Sequence, residues 1–399
     1  MARRSVYYDP NRTQRVALDV RMWRHSGIGS YIRGLCNAMA RIDAPPPLTC
    51  LGPERFAKAA ADLHPQWETA SFNRPVYSIL EQIAPPRILP EWGLYHSPHY
   101  NFPLRWPSEL PLVVTIHDLI HLDSPSWMKR KYMRFFLKQL ENHPPEKLRV
   151  ITGSDATRDR LGREMPYFSK NAHILRKISY GIAPLYLNAE PTDEECREWR
   201  KRYMLPDRYF LMVGNSLPHK NHAFVIRTLL PLMAKGQIAP HLVICGLGEK
   251  GMPPVIEMAS KITKKNVLHC LPHIPQREMP LMYAGAEALI FPSLEEGYGL
   301  PVVEAQAMGA PTLVSDRPAT REAGGKAAMY FDPEIDASLI SAVKKIQKGD
   351  DIYEEMVRRG RERTQNMSWE RAAEETVKVY REFGDFEISD SAKGGPQPS

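Results

Sequence analysis

The sequence predicts an α/β protein made of two doubly wound domains. Three observations carry this. A chain of 399 residues exceeds what one ordinary core accommodates. Short apolar runs that read as buried strands alternate with helix-length stretches, the pattern of parallel βα units. The pattern also starts twice, at Val16-Ala-Leu-Asp-Val20 and again at Tyr209-Phe-Leu-Met-Val213, each time followed by a glycine-containing loop and a helix. We expect a first domain over 1–205, a second over 206–388, a loose arm up to about residue 14, and a disordered tail over 389–399, where small and polar residues dominate.

The composition is globular, with 43% hydrophobic and 25% charged residues. Cys36, Cys50, Cys196, Cys245 and Cys270 show no Cys-x-x-Cys spacing, so neither a disulfide framework nor a zinc cluster is indicated. The first ten residues lack an apolar signal core, and no run approaches the roughly 20 apolar residues of a membrane span. A cytoplasmic protein, peripheral at the inner face of the plasma membrane, fits. The net charge of +7 suits anionic lipid or phosphorylated substrates. No nucleic-acid-binding module is visible, so nucleic acid is not expected as a partner.

In the first half, Val16–Val20 reads as a strand, and Gly27-Ile-Gly29 leads into a helix over 31–40. A second strand follows at Leu48–Leu51, then a proline-rich aromatic region containing His96 and His99. These two read either as metal ligands or as loop residues lining the cleft, and no third ligand with a recognisable spacing accompanies them. Leu112-Val-Val-Thr-Ile116 is the clearest strand, and His117-Asp118 sits at its carboxyl end, where open parallel sheets bind ligands. His117 and His121 share the spacing of a metal pair, yet a strand end is not a helix. Trp127–Leu140 reads as a basic amphipathic helix with Met128, Tyr132, Phe136 and Leu140 on its buried stripe. Its basic face is either solvated or attached to an anionic membrane surface.

In the second half, the strand Tyr209–Val213 leads through Gly214-Asn-Ser-Leu-Pro-His-Lys-Asn221 to a helix. Lys220 is either an ordinary loop lysine or the cation that neutralises a bound diphosphate. Gly246-x-Gly248-x-x-Gly251 matches a dinucleotide fingerprint, but Pro253 and Pro254 would delay its helix and the next strand ends without an acidic residue to hold a ribose. The densest stretch is Phe291–Ala310. A buried strand, Ala288–Phe291, is followed by Gly297 and Gly299, which permit a tight turn, and by Pro301, suited to the first position of a helix that Gly309 and Pro311 end. A helix start of this kind attracts phosphate. Glu296 and Glu304 flank it as acceptors for sugar hydroxyls, or else as a solvated loop residue and a dipole partner.

The Glu-x7-Glu spacing of Glu296 and Glu304, with the glycines between them, resembles the retaining GT-B glycosyltransferases of family 4, the glycosyl transferases group 1. The resemblance runs from Val16 to about Phe383. It implies two Rossmann-like domains facing a cleft, the first acceptor-binding and the second nucleotide-sugar-binding, with a last helix over about 369–383 crossing back onto the first. It implies a donor turn over Gly297, Tyr298, Gly299, Leu300, Pro301 and Val302, with Glu304 on the ribose, Glu296 on the donor sugar and Lys220 on the diphosphate. His117 would lie near the reacting carbon, Gly27 and Gly29 beside the diphosphate or acceptor, and Ile274 at the nucleobase. Asn215 stands where many members carry arginine. With no Asp-x-Asp triplet, metal independence is expected, and no cofactor beyond the donor. The wording of the Gly214–Asn221 and Ser97–Tyr100 segments is most similar to bacterial mannosyltransferases of surface-polysaccharide assembly, which implies GDP-mannose as donor and a saccharide or lipid-linked acceptor. The rivals are a nucleotide-sugar epimerase, a non-catalytic subunit of the same fold, and a nicotinamide oxidoreductase.

Overall fold

The apolar runs become strands of two all-parallel sheets. The computed structural model describes residues 14–386, apart from 26, 84, 90, 105, 240 and 385. The arm and tail expected at the two ends lie outside the described residues. The chain divides into one unit of 1–181 with 369–399 and a second of 182–368.

The first unit holds β1 (Arg15–Asp19), β2 (Leu48–Gly52), β3 (Glu68–Ser71), β4 (Trp92–Ser97), β5 (Leu112–Ile116), β6 (Leu148–Thr152) and β7 (Leu175–Lys177), in the order β3-β2-β1-β4-β5-β6-β7. The second holds β8 (Tyr209–Val213), β9 (His241–Cys245), β10 (Leu268–Leu271), β11 (Ala288–Phe291), β12 (Thr312–Ser315) and β13 (Ala328–Phe331), in the order β10-β9-β8-β11-β12-β13. The inner strands are covered on both faces, so β2, β5 and β11 are buried at every position rather than at alternate ones. Strand order reverses between β1 and β4 in one sheet and between β8 and β11 in the other. Loops leaving the carboxyl ends of those strands diverge there and open a crevice.

The last helix, Trp369–Arg381, belongs to the first unit and packs on the Ile28–Met39 helix. Gly34 makes this possible, because a Cβ there would stand 2.3 Å from the Trp369 ring. Beyond the helix, Glu382 pairs with Arg149 and Arg176 at 2.5 and 2.8 Å.

Three expectations need correction. The segment 182–205, assigned by sequence to the first domain, belongs to the second unit. Its helix Asp193–Arg202, started by a Thr192–Glu195 capping box, buries Trp199 and Cys196 against the Met279–Ala284 helix, and Trp199 donates to Glu278 at 3.1 Å. The helix after Gly246 is not delayed by its prolines. It runs Gly248–Ile262 with Pro253 and Pro254 inside, where each forfeits an amide bond without preventing the turn. The Trp127–Leu140 helix buries Met133, Phe136, Leu137 and Leu140, while Met128 is exposed and Tyr132 half-buried.

Candidate active site

The β8/β11 reversal sets the geometry in the second unit. After β8, Gly214 turns at φ 148°, a conformation that favours glycine, and a short 3-10 turn over Pro218–Lys220 presents the lysine. After β11, residues 292–299 cross the same edge, and the Leu294 amide donates to the His219 carbonyl at 2.8 Å. The two loops are thereby tied together. Lys220 Nζ donates to Glu296 Oε1 at 2.6 Å and lies 5.4 Å from the Phe291 ring centroid. Both side chains are mostly withdrawn from water, Lys220 at 15% and Glu296 at 10% exposure.

Gly299 takes φ 102° where the loop becomes the Leu300–Ala307 helix, and a Cβ there would press on Ala323 at 3.1 Å. Pro301 occupies the second helical position and supplies no amide. The Val302 amide turns back to the Gly299 carbonyl at 3.0 Å, and its side chain is fully buried, as Tyr298 largely is. The helix start therefore leaves the Gly299 and Leu300 amides as the ones its own ladder does not use. Glu304, one turn in, accepts from Tyr283 at 2.8 Å. Burial pushes its carboxyl up to about 7, and the tyrosine bond opposes only part of that rise. Asn215 caps its own loop, accepting from the Leu217 amide at 3.2 Å. Ile274 is buried behind β10, its amide beside the Cys245 thiol.

In the first unit, His117 is held at the end of β5 by both ring nitrogens. Because the Pro98 carbonyl can only accept, Nε2 donates to it at 2.8 Å, and Nδ1 accepts from Tyr180 at 2.6 Å. Burial lowers its pKa to about 4, so the ring is a neutral, fixed tautomer near neutrality. Asp118 accepts from the Ile120 amide at 3.0 Å, a local turn bond. Gly29 lies inside the Ile28–Met39 helix, where a Cβ would stand 2.5 Å from the Trp23 carbonyl. Gly27 meets no such obstacle.

His96 and His99 do not line an opening, contrary to the loop expectation. His96 is fully buried on β4 and bonds Tyr380 at 2.7 Å and Thr115 at 2.8 Å. His99, 1% exposed, has Nε2 3.7 Å from Asp19. His121 bonds Tyr100 at 2.8 Å, so it and His117 serve different tyrosines. Among the described residues there is no group of three or more His, Cys, Asp or Glu placed to hold a metal ion.

Sequence reasoning missed a buried charge network at the β1/β4 reversal. Arg21 bridges Asp19 at 2.5 Å and Glu81, stacks on Phe72 at 3.9 Å, and donates to the Arg74 carbonyl at 3.1 Å. Asn101 donates to Glu81 and accepts from Tyr132 at 2.5 Å. Burial alone would raise the Asp19 pKa, but Arg21 and His99 hold it well below the carboxylate range. Its sequence signal was an aspartate and an arginine at the end of an otherwise apolar strand.

Residues 197–363 match the family described as glycosyl transferases group 1. The O-antigen chain mannosyltransferase B of Escherichia coli is 25% identical over 291 residues, covering 72% of this chain and 74% of that protein. The O-antigen chain mannosyltransferase RfbU of Salmonella typhimurium is 27% identical over 267 residues, covering 66% of this chain and 68% of that protein. Two solved structures share the fold. A glycosyltransferase from Rickettsia africae matches with a TM-score of 0.67 and 13% identity over 93% of this chain and 98% of its own. HepE of Anabaena, solved with UDP and glucose, matches with a TM-score of 0.69 and 14% identity over 92% of this chain and 99% of its own. This chain therefore has the GT-B fold shared by those two structures and carries, over residues 197–363 of its second unit, the region described as glycosyl transferases group 1.

Proposed function

We propose that this protein transfers mannose, with retention of anomeric configuration and without a metal ion, from GDP-mannose to a saccharide or lipid-linked saccharide during surface-polysaccharide or glycolipid assembly. The observation that carries the reading is the Lys220–Glu296 pair at the β8/β11 reversal, beside the Leu300–Ala307 helix start. A cation and unused amides at one sheet edge suit a diphosphate, and the two glutamates suit the hydroxyls on either side of it. Mannose is favoured by the names of the O-antigen relatives.

In this reading Lys220 and the Gly299 and Leu300 amides take the charge that grows on the phosphate as the anomeric C–O bond breaks. The acceptor hydroxyl forms the new bond on the same face and passes its proton to the departing phosphate oxygen. Glu296 holds the sugar hydroxyls and Glu304 the ribose. His117, neutral and fixed, contacts the sugar as a positioned polar group rather than as a base. Asn215 contributes no charge to the diphosphate, and Ile274 borders the nucleobase. Peripheral contact with an anionic membrane would bring the enzyme to a lipid-linked acceptor.

The test is a thermal-shift screen of GDP, UDP, ADP and NADH, followed by NMR of GDP-mannose turnover with and without methyl α-mannoside. GDP-selective stabilisation, lost in Glu304→Ala, and an α-linked product are expected. An epimerised sugar formed without acceptor, or stabilisation by NADH alone, would replace the proposal with one of its rivals.

A further inference from the structure

The Trp127–Leu140 helix turns an unusual face to solvent. It carries Lys129, Arg130, Lys131, Arg134 and Lys138 and no acidic residue. With Met133, Phe136, Leu137 and Leu140 buried, the exposed side follows the helical spacing 127, 128, 131, 134, 135, 138. Large apolar groups and cations therefore share one strip, with Trp127 58%, Met128 63% and Phe135 45% exposed. Lys131 Nζ sits 5.0 Å from the Trp127 ring centroid. Beside the strip, the Tyr77 ring lies 5.9 Å from Tyr132, and two and three residues further on Ile79 and Leu80 are 78% and 53% exposed. Single exposed apolar residues need no explanation, but five on one helix face and its neighbouring turn mark a contact surface.

We infer that this strip is the docking surface of the first unit on an anionic lipid bilayer. Charge and shape both select that occupant. Tryptophan, methionine and phenylalanine tips reach the boundary between headgroups and acyl chains, while flexible lysines and arginines extend from the same strip to lipid phosphates. Among the described residues no helix is long and apolar enough to cross a membrane, so the contact is interfacial. Docking supplies a partner for the proposed transfer to a lipid-linked acceptor and rests on that reading for its purpose alone. Its test needs no turnover.

The full chain is sedimented with vesicles of phosphatidylcholine and phosphatidylglycerol at roughly two to one, and with phosphatidylcholine alone, at low and high salt. Binding to the anionic vesicles only, weakened by salt, is expected. Lys131→Glu with Arg134→Glu should weaken it by about tenfold or more, and Trp127→Ser with Phe135→Ser by a similar factor. Unchanged thermal stability of both pairs would show that the fold survives. No binding by the wild type overturns the inference, as does binding that neither pair weakens. Sensitivity to the charge pair but not to the serine pair means adsorption without insertion and also overturns it. A dimer that the serine pair splits, with no vesicle binding, assigns the strip to a second copy instead. GDP stabilisation measured alongside keeps the donor-site reading separate from every one of these outcomes.

Discussion

Lys220 and Glu296, 76 residues apart in sequence, meet at 2.6 Å with both side chains largely shielded from water. The lysine that would grip a diphosphate is thus already neutralised by the glutamate that would grip the sugar. Donor binding must share or exchange this bond, so the two residues should respond oppositely to substitution. Lys220→Ala should weaken GDP binding roughly 10- to 100-fold, the scale of a lost charge-assisted hydrogen bond. Glu296→Gln frees the ammonium and should hold or tighten GDP while turnover falls. Calorimetry with GDP, alongside turnover of GDP-mannose, measures both. Equal weakening of GDP binding by the two substitutions would show that the pair acts only as a structural clasp.

Glu304 would make the proposed donor site sensitive to pH. Burial favours its neutral form and raises its pKa from 4.5 to about 7, so the folded protein holds a proton that the unfolded chain releases. Its ionisation therefore costs stability that is present at low pH and falls as pH rises through about 7, with an upper bound of about 3 kcal/mol. Ribose hydroxyls are better held by the carboxylate, so GDP affinity should rise over the same window. Tyr283→Phe removes the bond that favours ionisation and should shift the rise to higher pH. Glu304→Gln should flatten it. GDP dissociation constants between about pH 6 and pH 8 decide the matter.

What the sequence disclosed depended on how local each feature is. The strand, turn and helix over 288–307 were legible because strand period, glycine placement and the proline all fall within one short stretch. The Trp127–Leu140 helix was legible in extent but misread in rotation. A stripe through Met128, Tyr132, Phe136 and Leu140 and one through Met133, Phe136, Leu137 and Leu140 share two members, and only packing chooses between them. Asp19, Arg21 and Glu81 were illegible as a network because Glu81 arrives from 60 residues away. Tyr283 as the partner of Glu304, and Tyr180 as the partner of His117, are likewise meetings that only the folded sheets create.

His117 should be absent from the pH–rate profile near neutrality. Its pKa of about 4 keeps the ring neutral, and Tyr180 and Pro98 occupy both nitrogens. The unfolded chain takes up a proton below about 6.5 that the folded ring refuses until about 4, so this residue draws stability down as pH falls across that interval. Denaturant midpoints of wild type and His117→Gln at about pH 7 and pH 5 should diverge at pH 7 and converge at pH 5. An acid limb near 6.5 in turnover that disappears in His117→Gln would restore the histidine as a titrating base.

The Asp19–Arg21–Glu81 network predicts an asymmetric cost of substitution. Arg21 is the cation between two fully buried carboxylates, and its removal leaves both buried without that countercharge. Arg21→Met should therefore destabilise the first unit by about 3–5 kcal/mol. Glu81→Gln should cost less, because the amide can still accept from Arg21 and Asp19 retains its partner. Combining Arg21→Met with Asp19→Asn and Glu81→Gln removes every stranded charge and should recover much of the loss, a non-additivity that double-mutant analysis of denaturant midpoints would expose. GDP stabilisation should survive in all these variants, since Lys220, Glu296 and Glu304 lie in the other unit. Its loss would mean that the network supports the proposed donor residues themselves.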